Sequence, residues 1–385
     1  MTEPGAAEDI QSKFVKNGVG GDFLQARKVE DKIGLCLSGG GYRATIYHLG
    51  ALIRLNELGY LARIDEVASV SGGSIAAGFL ALKWSDLDFD ASGVARNLYH
   101  EVVVPLLRFV GIGIDTRAIL YSFLPGCAAA DSIARAYDRH LYQGATLQDL
   151  SDRPRFTFMA TNLQTGSGWR FSKAYAADYR VGIIDKPDLP LSKVVAASSA
   201  FPPLLSPVAI DLTGQRVKAA AGADLHRPPF TERAVLTDGG VYDNLGLERV
   251  WKRCRTILVS DAGKTIPEVG KPGGRWVGQT YRTLNIIQQQ VQNSRQRILF
   301  GMANSGQRNV VYWDIGSAPE QYGIEHGTAL SREEAREAAD LRTRLNPFSS
   351  VEQRLLVKAG YAGADAALKA RGFIPDIPAN FPVLP

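Results

Sequence analysis

The strongest constraint in this chain is a pair of glycine turns close together near its start. An apolar run at 33–37 enters Ser38-Gly39-Gly40-Gly41-Tyr42-Arg43, and a second at 67–70 enters the turn Ser69-Val70-Ser71-Gly72-Gly73-Ser74. Behind the first turn, Ile46, Leu49, Leu52, Ile53 and Leu58 recur at helical spacing, and Gly59 closes that helix. Behind the second, residues 75–82 read as another helix. Strand, helix, strand, helix in this order implies parallel strands joined by right-handed crossovers. The fold class is therefore α/β. Both turns fall at the carboxyl edge of the sheet, where open α/β sheets place their ligand sites. Further buried strands are predicted at 156–160, 194–197, 234–237, 256–260 and 310–314.

A length of 385 residues supplies a large core, and 45% apolar with 22% charged residues is ordinary for a soluble globular protein. No uncharged apolar stretch is long enough for a transmembrane helix, and the first residues lack the apolar core of a secretory signal. Cys36, Cys127 and Cys254 are odd in number and lack metal-ligand spacing, which favours reduced thiols and a cytoplasmic setting. The net charge of +5 suits an anionic lipid surface and equally an ordinary, slightly basic protein. Residues 1–30 show no periodicity and are expected to be a partly disordered tail ahead of a single domain over 31–385. Residues 94–124 are apolar with Arg96, Arg108 and Arg117 interspersed, and read either as a lid or as a buried packing segment. Residues 211–233 and 263–275 read as loops, 279–300 as a Gln-rich helix, and 331–371 as amphipathic helices broken at Asn346-Pro347. No repeat of fixed period is present.

The chemistry lies in three pieces. A serine hydroxyl is a poor nucleophile at neutral pH and needs a base. Ser71 sits between an apolar strand and a small-residue helix, where a sharp turn exposes the oxygen beside free helix N–H groups. Ser69 stands where the usual GxSxG elbow has glycine. The competing reading makes Ser71 or Ser74 a helix cap. Gly39, Gly40 and Gly41, with Gly72, can bring backbone N–H groups close to an anion and so form an oxyanion hole. The first turn also reads as GxGxxA, but a dinucleotide site needs an acid at the end of the next strand, where this chain has Ser69-Val70-Ser71. Arg43 reads as a substrate-binding residue for a lipid phosphate, or as a turn-stabilising one. Asp238, after an apolar strand and before Gly239-Gly240, can act as the base, or can simply make an Asx turn. Asp261 is a second carboxylate at a strand end. His326 keeps a Ser71–Asp238–His326 triad open.

With these pieces in order, the chain resembles the patatin-like phospholipases, serine acyl hydrolases that use a Ser–Asp dyad. The Gly39–Arg43 block is also similar to that of cytosolic phospholipase A2. Two further blocks fit: Ala160-Thr161-Asn162-Leu163-Gln164-Thr165-Gly166 and Ala197-Ser198-Ser199-Ala200-Phe201-Pro202-Pro203. The resemblance covers about residues 31–262 well. It implies a three-layer α/β/α sandwich with a mostly parallel central sheet. It implies Ser71 as nucleophile, Asp238 as base, no histidine in that role, no metal and no cofactor. The implied substrate is a glycerophospholipid at a membrane surface, met peripherally at its inner face, with no nucleic-acid partner. Some bacterial relatives are effectors switched on by a signalling nucleotide or a protein, so an activator of either kind is an expectation. The competing functions are a Ser-His-Asp esterase and a non-catalytic lipid or nucleotide binder on the same fold.

Overall fold

The computed structural model describes residues 29–114, 129–203, 205–263, 265–379 and 381–382. Strand β1 (Glu30–Leu37) leads into helix α1 (Gly41–Glu57), and β2 (Glu66–Val70) leads into α2 (Gly72–Lys83). A short helix α3 (Val104–Val110) precedes β3 (Arg155–Asn162), β4 (Gly168–Phe171), β5 (Tyr175–Asp178) and β6 (Gly182–Asp185). Helix α4 (Leu191–Ser198) is followed by β7 (Val208–Asp211), β8 (Val217–Lys218), β9 (Arg233–Asp238) and β10 (Cys254–Asp261). The long helix α5 (Trp276–Asn304), β11 (Asn309–Asp314), α6 (Arg332–Asp340) and α7 (Ser350–Ala370) complete the chain.

Strands β11, β10, β1, β2 and β3 pair in that order, all parallel. Beyond β3 the sheet turns antiparallel through β4, β5, β6 and β8. Helices cover both faces of the parallel half. The period-two alternation of strands therefore buries side chains on each face. Leu35, Leu37 and Leu258 join the large core, while Cys36, Ile257 and Val259 join a smaller one with Leu247, Trp251 and Leu299. This is the three-layer α/β/α sandwich that the family resemblance implies.

Helix α1 is buried along nearly its whole length, and α7, which also packs on β11, lies closely against it. Two glycines permit the close approach. A Cβ on Gly50 would lie 1.9 Å from the Val357 carbonyl oxygen, and one on Gly360 would lie 1.8 Å from that of Tyr47. His48 on α1 is fully buried between Ser260 Oγ (2.8 Å) and the Ser38 carbonyl (2.9 Å). Burial lowers its pKa to about 4, so the ring stays neutral and ties the ends of β1 and β10 together.

One expectation needs correction. Residues 194–197 are not a strand but the middle of α4. A short apolar run looks the same in a buried strand and a buried helix, and here the flanking residues extend it to helical length. The segment at 94–124 is described only to 114; the rest, with Arg117, lies outside the described residues. In the described part Val102, Val103, Leu106, Phe109 and Val110 are buried in the main core, as packing requires and a lid does not. The Ile114 N–H donates to the Leu345 carbonyl (3.2 Å), and the Phe348 N–H donates to the Val110 carbonyl (3.0 Å). The segment thus supports the loop after α6 from behind.

A core role has a measurable signature. Leu106→Ala should lower the unfolding free energy by about 2–5 kcal/mol in urea titration, as large-to-small core changes do. A lid residue would leave the unfolding midpoint unmoved.

Candidate active site

Strand β3 assembles the site. Its residue Met159 pairs with Val70 at the end of β2, and the next residue, Ala160, pairs with Asp238 at the end of β9. Strand β4 occupies the other edge of β3 over 158–161. Strands β2 and β9 therefore lie end to end along one edge, running toward each other. Ser71 and Asp238, remote in sequence, meet where they abut.

Ser71 takes φ 52° and ψ −122°, a region that non-glycine residues rarely enter. Its side chain makes no capping bond to α2, so the cap reading fails for Ser71. Its N–H donates to Ser198 Oγ (3.1 Å), whose hydroxyl donates to the Met159 carbonyl (2.6 Å). Ser74 Oγ lies 2.9 Å from Ser198 Oγ and 3.0 Å from Ser69 Oγ. The serine at 69, where an elbow usually has glycine, is thus part of a buried hydroxyl chain that braces the turn. Ser74 belongs to this chain and not to the chemistry.

Asp238 is 1% exposed. Oδ1 accepts the Gly240 N–H at 2.7 Å, while Oδ2 is buried and makes no full hydrogen bond among the described residues. Burial pushes the pKa up to about 6, against the smaller lowering effects of the Gly240 amide and the neighbouring Ser71 hydroxyl. The Ala200 carbonyl accepts the Asp238 N–H (3.0 Å), and the Ser198 carbonyl accepts the Gly239 N–H (3.1 Å). The block at 197–203 therefore fixes the end of β9. The block at 160–166 is structural in another way: Asn162 and Thr165, with Ser167, converge on the buried carboxylate of Asp178.

The glycine turns fit against each other. Gly40 and Gly41 have φ of 146° and 58°. A Cβ on Gly72 would fall 1.9 Å from the Gly41 carbonyl oxygen, and one on Gly41 would fall 1.5 Å from that of Thr343. Gly41 and Gly72 open α1 and α2, where helix amides have no intrahelical acceptor. Gly39 differs from the other three. Its N–H is committed to the Asn244 carbonyl (3.0 Å), so its place beside Ser71 is one of close approach and not of donation.

Arg43 needs the same correction. It is fully buried, and its guanidinium donates to the carbonyls of Ala339 (2.5 Å), Leu341 (3.0 Å) and Ala262 (2.7 Å). Although it borders the cavity, its two terminal nitrogens are committed to these carbonyls, so its place is that of an anchor for the chain after α6. Arg344, exposed in the loop so anchored, is the other cation of the cavity wall. Asp261 is also spoken for: it accepts from Tyr312 Oη (2.6 Å), Gln292 Nε2 (2.9 Å) and the Gly263 N–H (2.7 Å). His326 is exposed at the far end of α7, where its N–H donates to Asp376 (3.1 Å) and its carbonyl accepts from Lys369 (2.5 Å).

Ser71 and Asp238 open into a cavity of about 430 Å³, within the range of small-molecule sites. None of the five histidines lines it. Sequence reasoning missed part of its wall. Asn244 sits with Oδ1 2.4 and 2.6 Å from where Cβ atoms on Gly39 and Gly240 would be, so it is wedged between the two turns. Gln288 and Gln292 come from α5, and the glutamine richness of 279–300 was the available signal.

A family model for the patatin-like phospholipases matches residues 35–251, and the chain belongs to that family. A search of curated protein sequences gave no match. Among solved structures, human GIVD cytosolic phospholipase A2 is similar with a TM-score of 0.54 at 12% identity, covering 95% of this chain and 64% of that one. VipD from Legionella pneumophila aligns over 89% of this chain and 67% of its own, with 14% identity and a TM-score of 0.38. This chain thus spans 64% of the length of the cytosolic phospholipase that it resembles in fold.

The buried carboxylate has a thermodynamic consequence. Its folded pKa of about 6 exceeds the ordinary 3.8, so the folded state binds the proton more tightly. Stability from this group falls as pH rises from about 4 to about 6 and stays low above that. Asp238→Asn should therefore be more stable than wild type at pH 8, with the gap closing near pH 4. Thermal melts across that range test it, and a constant gap would contradict it.

Proposed function

We propose that this chain is a serine lipid acyl hydrolase of the phospholipase A type, working through a Ser71–Asp238 dyad. Family membership supports lipid hydrolysis in general. The observation that carries the finer reading is the pairing of a strained serine with a desolvated carboxylate whose second oxygen has no other partner, in a cavity that no histidine enters.

In this reading Ser71 Oγ attacks the ester carbonyl carbon as its proton passes to Asp238 Oδ2. The carbonyl oxygen becomes an oxyanion, held by the N–H groups of Gly40, Gly41 and Gly72. Collapse releases the alcohol, which takes the proton from Asp238. The acyl group stays on Ser71. Water, deprotonated by Asp238, then attacks the acyl-enzyme, and the fatty acid leaves as Ser71 recovers its proton. Desolvation makes Asp238 a stronger base than an ordinary carboxylate while leaving it ionised at neutral pH. Arg344 at the cavity wall supports a substrate with an anionic head group.

Ser71→Ala and Asp238→Asn should each lower ester hydrolysis by about 10³-fold or more, since dyad members act as a unit. A fluorophosphonate probe should label Ser71 and no other serine in mass spectra of the digest. His326→Ala should keep most activity, and a folded but inactive His326 variant would sink the dyad. Deprotonated Asp238 is the working form, so the hydrolysis rate should fall on acidification through about pH 6.

A further inference from the structure

Helix α5 presents two unlike faces. Tyr281, Asn285, Gln288 and Gln292, at helical spacing, line the cavity. Another face carries Trp276, Leu284, Ile287 and Ile298, exposed by 77%, 51%, 54% and 51%. Their separations of eight, three and eleven residues place them in one row along the helix. Among the described side chains of α5, none before Gln292 is buried, so the first half of the helix meets the body of the protein along its cavity face and leaves the opposite face in the open. An apolar row of this kind is rarely left bare without a partner.

The charge around it narrows the choice of partner. No acidic residue occurs between Glu268 and Asp314, while Lys271, Arg275 and Arg282 surround the first turns of the helix. A second copy of the chain would bring these cations against themselves. An anionic surface would neutralise them. Tryptophan at the end of an apolar row flanked by cations suits the boundary between head groups and acyl chains.

We propose that the outer face of α5, centred on Trp276, Leu284 and Ile287, seats this protein on anionic lipid bilayers. The choice of a bilayer rests on the lipid-hydrolase reading above. The same helix walls the cavity, so seating it would bring the mouth to the membrane, and an acyl chain could enter without crossing water. The preference for aggregated substrate then belongs to α5 and not to the core segment at 94–114.

The test uses the full chain carrying Ser71→Ala, so that vesicles are not consumed. Its partition onto phosphatidylcholine vesicles is compared with that onto vesicles also containing phosphatidylglycerol, by co-sedimentation. Binding should be much stronger on the anionic vesicles. Adding Trp276→Ser, Leu284→Ser and Ile287→Ser should weaken that binding by about tenfold or more. Lys271→Glu with Arg275→Glu should remove the anionic preference, by about fivefold per charge. The triple-serine changes, placed in the active enzyme, should leave the melting temperature and the turnover of a soluble short-chain ester unchanged. Undiminished vesicle binding by the triple-serine protein overturns the proposal. So does a dimer, in place of vesicle binding, that the same changes dissociate. Vesicle binding is read on a protein that cannot turn over, so failure of the hydrolase reading and failure of this one give different results.

Discussion

The arrangement on which everything else depends is the sharing of one edge of β3 by two strands. Strand β2 enters from one end in parallel and stops opposite Met159, while β9 enters from the other end antiparallel and stops opposite Ala160. A sheet edge offers a continuous row of N–H and C=O groups, and two short strands can satisfy it as one long strand would. The gain is positional. Both chains leave the sheet at the same point, so the turn after β2 and the end of β9 face each other at a spacing set by backbone hydrogen bonds. Rigid strands, not mobile loops, thus hold Ser71 and Asp238.

Close approach of backbone to backbone is the second constraint, and it explains why the glycines cluster. The α1 turn touches the α2 turn through Gly72, the loop after α6 through Gly41, and Asn244 through Gly39. Arg43 holds that loop in place by two carbonyl bonds at Ala339 and Leu341 and ties it to the end of β10 by a third at Ala262, and the segment around α3 backs it from the other side. The C-terminal helices are therefore part of the site: removing their anchoring would loosen the wall nearest the Gly39–Gly41 turn.

The local grammar of the site was legible in the sequence. Both βα turns, the strand before Asp238 and the Gln-rich helix are marked by residues close together in the chain, and the structure has each of them. What escaped was what depends on distant partners. An arginine beside a glycine turn looks the same whether it meets a phosphate or three carbonyls, and only the loop at 339–341, far along the chain, makes Arg43 an anchor. Likewise 194–197 could not be told from a strand, because its apolar run is short and its neighbours decide the period. The apolar surplus at 94–114 is real, but burial on several sides absorbs it. That of α5 lies along one face and is not absorbed.

The absence of histidine from the cavity is consistent with the electrostatics of Asp238. A general base works best when its pKa lies near the working pH, and an ordinary carboxylate at 3.8 is too weak. Burial raises Asp238 to about 6, net of the opposing Gly240 amide and Ser71 hydroxyl. The Gly240 amide stops it from rising further, so the group remains ionised at neutral pH. This shift requires that Oδ2 have no strong partner except the serine, since any additional donor would stabilise the charge and lower the pKa again. The buried hydroxyl chain of Ser69, Ser74 and Ser198 braces the elbow without sending a donor to that oxygen. Strain at Ser71 and a desolvated charge at Asp238 both oppose folding. A core that buries α1 on all sides and covers both faces of the parallel strands can carry that cost locally.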